Sequence, residues 1–559
     1  MIRLGSVVLA LCLLLLSSHA QAEFAGELVP SYSGYYDDLK LLATKGSVPA
    51  GLINMRPLTR GQIAAVLAEG MRENPSRLLA DPVGRRLVRE FSREIESLGI
   101  RATVHRHEPF RRIEMLPAEP RAGGEAETGS DESGSACREP AAVLELSPYA
   151  WVRVDNVEPL YFEALEDRRV GLEATLSAGS GAMLVHADLV VGNHSKEPRG
   201  IPEFGTLNAL VEGEDINSWM HRAYLLARTR ALDASLGRDW IRWGPGRTGV
   251  LGAGDAVSAL NIFMLRKRMT NVDLATYAAM LDFTDEQMVA GHRVEFRPTP
   301  RLTLGFAEQA RFTTIQQAPL YAFAFYPYSI VEKLVGADSE FEDKSYKNNV
   351  MWTVDFDWIP AANTRIYGEF LLDDWSFSRD KKPGQIGYQA GISRTRALGV
   401  EALSIRAEFT KIHGYTYTQA RRSVDVEGED SLEELDFEHN GLSLGHPLGP
   451  DSEGYHLGLR YDASVRSKWD FSWETRRLGE LELGEGWVYG DPVPETFPLS
   501  GVVETSTRIM AQYTFYPEKW SGSWASLGGG LRKVGNADNR EGNDKDWDGI
   551  MKASVALQW

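Results

Sequence analysis

Cysteine is nearly absent: Cys12 and Cys137 are the two in 559 residues, too few for a disulfide scaffold or an iron–sulfur cluster. Positive charge is also short. Lys and Arg number 60 against 78 Asp and Glu, a formal charge of −18. That argues against nucleic acid as a partner, because a phosphate backbone is held by clustered cations. No Gly-x-Ser-x-Gly elbow and no His-Glu-x-x-His pair occurs, so the expectation is a protein that is not an enzyme and carries no cofactor. Beyond residue 22 no apolar run approaches the 18 residues a membrane helix needs. The 43% hydrophobic and 10% aromatic content excludes a disordered polymer. The length allows two to four domains, or one large barrel with an appendage.

What is present falls into four stretches. Arg3, the apolar run Val7 to Leu16, and Ala20-Gln21-Ala22 read as a secretory signal over residues 1–22. Residues 23–116 carry helical patterns. Leu39, Leu41 and Leu42 precede a stop at Gly46, and Thr59 with Gln62 forms a capping box before Ile63, Val66 and Leu67. Asp81-Pro82 is a cap with a first-turn proline, followed by Val88, Phe91, Ile95 and Leu98 at helical spacing. The expectation is a bundle of three short helices. His105-x-His107 lacks a third ligand nearby and reads as exposed basic chain, so no metal site is assigned there. Residues 117–140 are rich in Gly, Glu, Ser and Pro, an acidic linker that contains Cys137.

From residue 141 to 559 the period becomes two. Val350, Trp352, Val354, Phe356 and Trp358 alternate with Met351, Thr353, Asp355 and Asp357, and Tyr455, Leu457, Leu459 and Tyr461 alternate with His456, Gly458, Arg460 and Asp462. Each strand thus has an oily face and a polar one. A soluble sandwich alternates too, so three further features decide. Every second connection is tight (Gly179 to Gly181, Pro298 to Pro300, Pro360 to Asn363, Pro517 to Gly522) and the others are long (193–218, 242–285, 312–348, 412–452). That parity is the habit of outer-membrane barrels. Trp151, Trp219, Trp358, Trp469 and Trp524 fall near strand ends, as an interfacial girdle requires. Finally, Met551, Ala553, Val555, Leu557 and Trp559 alternate to the last residue, and such a strand must pair with the first because lipid tolerates no open edge.

The reading is an all-β transmembrane barrel with a small N-terminal α-helical periplasmic domain. Sixteen to eighteen antiparallel strands are expected, sixteen of them recognised by pattern, with both barrel ends and the bundle on the periplasmic side and the long loops outside. Its first partner is outer-membrane lipid.

The densest chemistry is Gly237-Arg238-Asp239-Trp240-Ile241-Arg242-Trp243-Gly244-Pro245-Gly246-Arg247. It opens a long loop whose Val257 to Met264 is apolar enough to pack inside the lumen. An indole face stacks on the C–H face of a pyranose, and Arg forks donate to hydroxyls and uronate carboxylates. Arg238, Asp239, Trp240, Arg242, Trp243 and Arg247 are therefore the candidate polysaccharide-binding residues, with Gly244, Pro245 and Gly246 setting the loop geometry. A rigid Gly-Pro-Gly corner beside membrane-belt aromatics is the competing reading. Asp544-x-Asp546-x-Asp548-Gly549 copies half of a calcium loop, but the bidentate Glu is replaced by Val555, so it reads as a solvated acidic turn.

At Trp243-Gly244-Pro245-Gly246 the sequence resembles the outer-membrane capsule-assembly (Wzi-type) family. Leu41-Leu42-Ala43 through Gly46, Arg56-Pro57-Leu58-Thr59-Arg60 and the aromatic terminal strand support the resemblance. It implies about eighteen strands and a lectin-like protein that holds capsular or exopolysaccharide at the surface. The N-terminal bundle could then meet a periplasmic polysaccharide-export component. Two other readings compete. Charges of both signs on the inward faces would suit a passive porin, and a His beside an acid, such as His456 with Asp462 or Glu408, would be needed for an outer-membrane enzyme.

Overall fold

The computed structural model describes residues 26–100, 111–115, 142–155, 166–178, 182–194, 209–211, 217–229, 232–322 apart from 284 and 314, 327–328, 348–374, 383–419, 421–422, 435–518 apart from 490 and 495–497, and 522–558. The signal stretch, His105, His107 and the acidic linker lie outside these residues.

Among the described residues eighteen antiparallel strands close into a barrel, and two short segments, Arg111–Met115 and Ala209–Val211, pair onto it. In chain order they are β1 (Ala142–Asp155), β2 (Glu166–Ala178), β3 (Met183–His194), β4 (Asn217–Arg228), β5 (Asp233–Asp239) and β6 (Leu260–Arg268). Next come β7 (Val272–Met280), β8 (Met288–Thr299), β9 (Leu302–Phe312), β10 (Asn349–Ala361), β11 (Thr364–Asp374) and β12 (Gln385–Thr395). The last are β13 (Leu403–Ile412), β14 (Ser452–Ser464), β15 (Ser467–Leu478), β16 (Glu504–Phe515), β17 (Trp524–Gly535) and β18 (Lys545–Gln558). The terminal strand closes on the first, from Lys552 opposite Asp155 to Gln558 opposite Tyr149. Alternation does what the sequence requires of it: Val354, Phe370, Leu457, Phe471 and Ile509 are exposed on the outer face, while Asp355, Glu369, His456 and Arg460 are buried on the inner one.

The count is eighteen, the upper end of the sixteen to eighteen expected. The missing hairpin is β6–β7, inside what reads from sequence as one long loop. Its pattern is hidden because β7 is covered on both faces. Ala275, Tyr277 and Ala279 are buried inward, and Ala278 is buried outward. There, after β9, the chain turns back over the outer wall. Helix Ala318–Ala322 accepts a hydrogen bond from Thr276 Oγ1 at Ala322 O, 2.9 Å. Tyr328 N and Trp352 Nε1 donate to Glu308 at 2.8 and 2.7 Å, and His292 sits 3.2 Å from the same carboxylate. Polar groups on the outer wall are thus paired beneath a protein cover. The girdle is corrected as well. Trp358 and Trp469 face outward, but Trp151 stacks under inward-facing Arg169, Trp219 is buried beside the same guanidinium, and the register puts Trp524 on the inner face.

Among its described residues the N-terminal part holds five helices rather than three: α1 (Tyr35–Lys45), α2 (Arg60–Glu73), α3 (Pro75–Ala80), α4 (Pro82–Glu90) and α5 (Ser92–Ser97). Gly46 ends α1 in the left-handed conformation, the Thr59–Gln62 capping box starts α2, and Asp81 caps α4 through Val83 N. Leu39, Leu42, Ile63, Leu67, Leu87 and Phe91 form its core. The module is not a free appendage, since it seats in the short-turn end of the barrel. Arg222 (β4) and Arg266 (β6) donate to Leu28 O and Pro57 O at 2.8 and 2.7 Å. Arg297 (β8) reaches Ala50 O at 2.7 Å. Asn363, after β10, donates its N–H to Thr44 O at 3.0 Å, and Arg460 (β14) meets Asp38 at 2.7 Å. Arg93 pairs with Glu145 of β1, and Arg89 with Glu518 O after β16.

Candidate functional site

The site is built around the segment that leaves β5 at Asp239 and returns at Leu260. Instead of forming an external loop, it folds into the barrel. Arg242–Trp243 pairs as a short strand with Met55–Arg56 of the N-terminal module. Two wall carboxylates anchor the backbone beyond this short strand. Glu408 accepts hydrogen bonds from Arg247 N and Thr248 N at 2.7 and 2.8 Å, and from the Tyr367 hydroxyl at 2.5 Å. Glu369 accepts from Leu251 N at 3.0 Å and Gly252 N at 3.3 Å. Backbone donors that could find no water inside are thereby satisfied by fixed acceptors. This explains the glycines. Gly244 has φ +146°, and a Cβ there would lie 2.8 Å from Glu369 Oε2. At Gly246 a Cβ would lie 2.0 Å from Gln389 Oε1.

The candidate residues divide accordingly. Trp243 is 1% exposed, edge-on to Tyr277 at 5.0 Å. Arg242 is held by Asp255 at 2.7 Å and Gly246 O at 2.9 Å, and Asp239 by Arg222 at 2.9 Å. Of the candidate residues, these three are thus enclosed by protein partners. A side chain surrounded by protein partners presents no face to a polymer. Arg238 lies on the strand face opposite Asp239. Pro245 O accepts from Lys40 and Arg365 at 3.1 and 3.2 Å, tying module, loop and wall together. Trp240 and Arg247 remain partly open to the lumen.

Arg247 reaches across to Asp37 of α1 at 2.9 Å and keeps 44% of its side chain exposed. Burial works against ionisation of Asp37, yet Arg247, Arg56 and Arg406 hold its carboxyl well below the usual range. Asp38 behaves alike: burial opposes its charge, but Arg460 and Arg86 bring it down to about 2. Beside Arg247 lies a cavity of about 260 Å³ bordered also by Thr248, His446, His456, Glu474 and Arg508. Arg508 donates to Glu474 at 2.6 Å, and His456 stands 3.8 Å from the same acid. His456 Nδ1 and Arg508 Nε are buried and meet no hydrogen-bond partner among the described residues. His446 Nδ1 accepts the Leu448 N–H at 3.2 Å, and burial pushes this imidazole down to about 3, so it is neutral. These His, Glu and Arg positions were visible in the sequence only as scattered lumenal charges. Their convergence is a product of the barrel's curvature.

Among the described residues no group of three or more His, Cys, Asp or Glu is arranged to hold a metal ion. Asp544 instead accepts the Asn536 N–H at 3.0 Å, and Asp546 and Asp548 are exposed.

The model of the family "Capsule assembly protein Wzi" matches residues 163–548. No curated protein matches the chain. Among solved structures, the Escherichia coli Wzi barrel, an outer-membrane protein involved in group 1 capsule assembly and described as carbohydrate binding, superposes with a TM-score of 0.58 at 15% identity, covering 96% of this chain and 99% of that one. OccAB1 of Acinetobacter baumannii matches at TM-score 0.41 and 9% identity over 75% of this chain and 96% of its own. OprD of Pseudomonas aeruginosa matches at TM-score 0.40 and 10% identity over 74% and 94%. An outer-membrane barrel of eighteen strands, filled from within by its own N-terminal module and a Trp-Gly-Pro-Gly loop, and matched by the family model over most of its length, belongs to the Wzi capsule-assembly family.

Proposed function

We propose that this barrel is a non-conducting, non-catalytic holder of capsular or exopolysaccharide at the outer surface, lectin-like in action. The observation that carries the reading is the sutured plug. Module and inward loop are bonded to β1, β4, β6, β8, β11, β14 and the turn after β16, which leaves a polar recess rather than a sieve. A porin needs a continuous aqueous path, and along β6 to β14 the lumen is given over to anchoring the module and the inward loop. On this reading residues 1–22 are the export signal, 23–116 the periplasmic plug, 117–140 a linker and 141–559 the barrel. The short turns face the periplasm and the long loops the outside. The N-terminal module is the part that a periplasmic export component would meet.

In the recess, Arg247 and Arg508 supply guanidinium forks for hydroxyls or carboxylates, and His456 Nδ1, which meets no hydrogen-bond partner among the described residues, borders the same space. Outside this recess, Trp240 presents an aromatic surface beside Tyr32 and His221. Purified protein in a planar bilayer is expected to give little steady current. Deleting the protein should release polymer into the medium without halting its synthesis, and Arg247→Ala with Arg508→Ala should reproduce that release. Large ion-selective current steps, or unchanged polymer retention in the deletion strain, would refute the reading.

A further inference from the structure

Most large apolar side chains that remain exposed among the described residues are explained by position. They lie on outward strand faces, where lipid covers them, or in turns, loops and the outer cover at the barrel's ends. Tyr32 is different. It belongs to the N-terminal module, just before α1, and is 53% exposed inside the barrel. The segment is fixed there by Leu28 N donating to the Tyr224 hydroxyl at 2.8 Å and by Ser31 Oγ donating to Asp255 at 2.9 Å.

Its ring is held in place as well. The Tyr32 hydroxyl hydrogen-bonds His221 Nε2 at 3.2 Å, and the ring meets Trp240 edge to face at 5.3 Å and 89°. His221 packs on Trp240 from β4 at 4.8 Å. Trp240 is locked in turn, its indole N–H donating to Val257 O at 2.8 Å. Three parts of the chain, separated by up to some two hundred residues, thus present rings in one arrangement at the edge of the lumen. An aromatic that is rigid, preorganised and left half in water has given up burial that neighbouring side chains obtain. Such a surface suits a flat apolar ligand face with polar edges, and the C–H face of a pyranose has that character.

We propose that Tyr32, His221 and Trp240 form a stacking subsite for one pyranose ring of a bound polysaccharide, with Tyr32 supplied by the N-terminal module. This rests on the polysaccharide-binding reading and places a contact at a position that reading does not require. Because Tyr32 belongs to the plug and Trp240 to the inward loop, ring binding and plug seating are thermodynamically linked.

The test uses full-length protein in detergent and oligosaccharides released by partial hydrolysis of the organism's own exopolysaccharide, with affinity read by calorimetry and by Trp emission. Tyr32→Ala should weaken binding roughly three- to tenfold, the range of one aromatic contact. Tyr32→Phe, which keeps the ring and drops the hydroxyl, should stay within about twofold of the parent. Heat-modifiable gel migration of both variants should match the parent, since the residue is half exposed. Parent binding with an unchanged Tyr32→Ala affinity overturns the subsite while leaving the functional reading intact. Equal losses in Tyr32→Phe and Tyr32→Ala also overturn it, because the hydroxyl and not the stacking surface would then be responsible. If the parent binds no oligosaccharide at all, the functional reading fails and the subsite goes with it.

Discussion

The two halves of this lumen are built from the same kinds of residue and behave as different materials. Along β6 to β14 the inward side chains, Arg406 at 23% exposure apart, are packed against the module and the inward loop. Arg293 and Asp355 are bonded at 2.6 Å with no side-chain exposure, and Glu295 and Arg311 are equally buried. Along β15 and β16 the inward ions keep water. Arg508 is 28% exposed, Asp470 24% and Glu474 19%. Charge in the first half is committed to holding protein, and charge in the second is available to a ligand. The difference lies in what each half was given to cover it, since inward alternation is the same in both.

That contrast predicts an order of effects. The largest should come from the anchors of the packed half. Glu408→Ala strands two backbone N–H groups and a tyrosine hydroxyl, and Asp355→Ala leaves Arg293 buried without its bidentate partner. Each should cost about 3–5 kcal/mol, read as a lower heat-modification temperature on gels, and Glu408→Ala should also produce new bilayer conductance as the inward loop loosens. Gly246→Ala comes next, because its Cβ would overlap Gln389 Oε1 and Gly249 O. Overpacking of that kind costs about 1–3 kcal/mol, measurable by the same shift.

The pH response should be intermediate. Burial lowers the His446 pKa from 6.5 to about 3, so the folded protein keeps this ring neutral while the unfolded chain takes up a proton below 6.5. Stability from this site is therefore complete above pH 6.5 and falls as pH drops from 6.5 toward 3, by about 1.4 kcal/mol per unit at most. Protonation would also set an N–H against the Leu448 N–H that Nδ1 now accepts. Unfolding temperatures of parent and His446→Gln across pH 7 to 4 check this, with the flatter profile expected for the variant. Smallest in stability should be Arg508→Ala in the open half, under about 1 kcal/mol since solvent screens the pair. Its effect is expected on polymer binding instead. If Arg508→Ala destabilised the barrel as much as Asp355→Ala, the distinction between the two halves would collapse.

Much of this architecture can be read from the sequence. Val350 to Trp358 and Tyr455 to Tyr461 declare which face meets lipid, and the tight turns distinguish one end of the cylinder from the other. The capping box at Thr59 and the cap at Asp81 are equally local statements. The β6–β7 hairpin is not legible, because a strand covered on both sides has no polar face to alternate with. Trp243 reads as a sugar platform because indoles beside arginines serve either recognition or packing. Only the neighbour Tyr277 and the strand partner Met55 decide for packing. Tyr32 carries no signal, being one tyrosine in a short segment before a helix.

Sequence alone determined the cylinder. Strand alternation, turn chemistry and a terminal edge that lipid forbids are short-range demands, each satisfied by residues a few positions apart. Which part of the cylinder is filled and which stays open was decided only in three dimensions. It depends on Asp37 meeting Arg247, Asn54 meeting Asp357 and Glu408 capturing the backbone of Thr248. These partners stand some 160 to 300 residues apart, and a buried ion or amide is stable only where folding brings its complement.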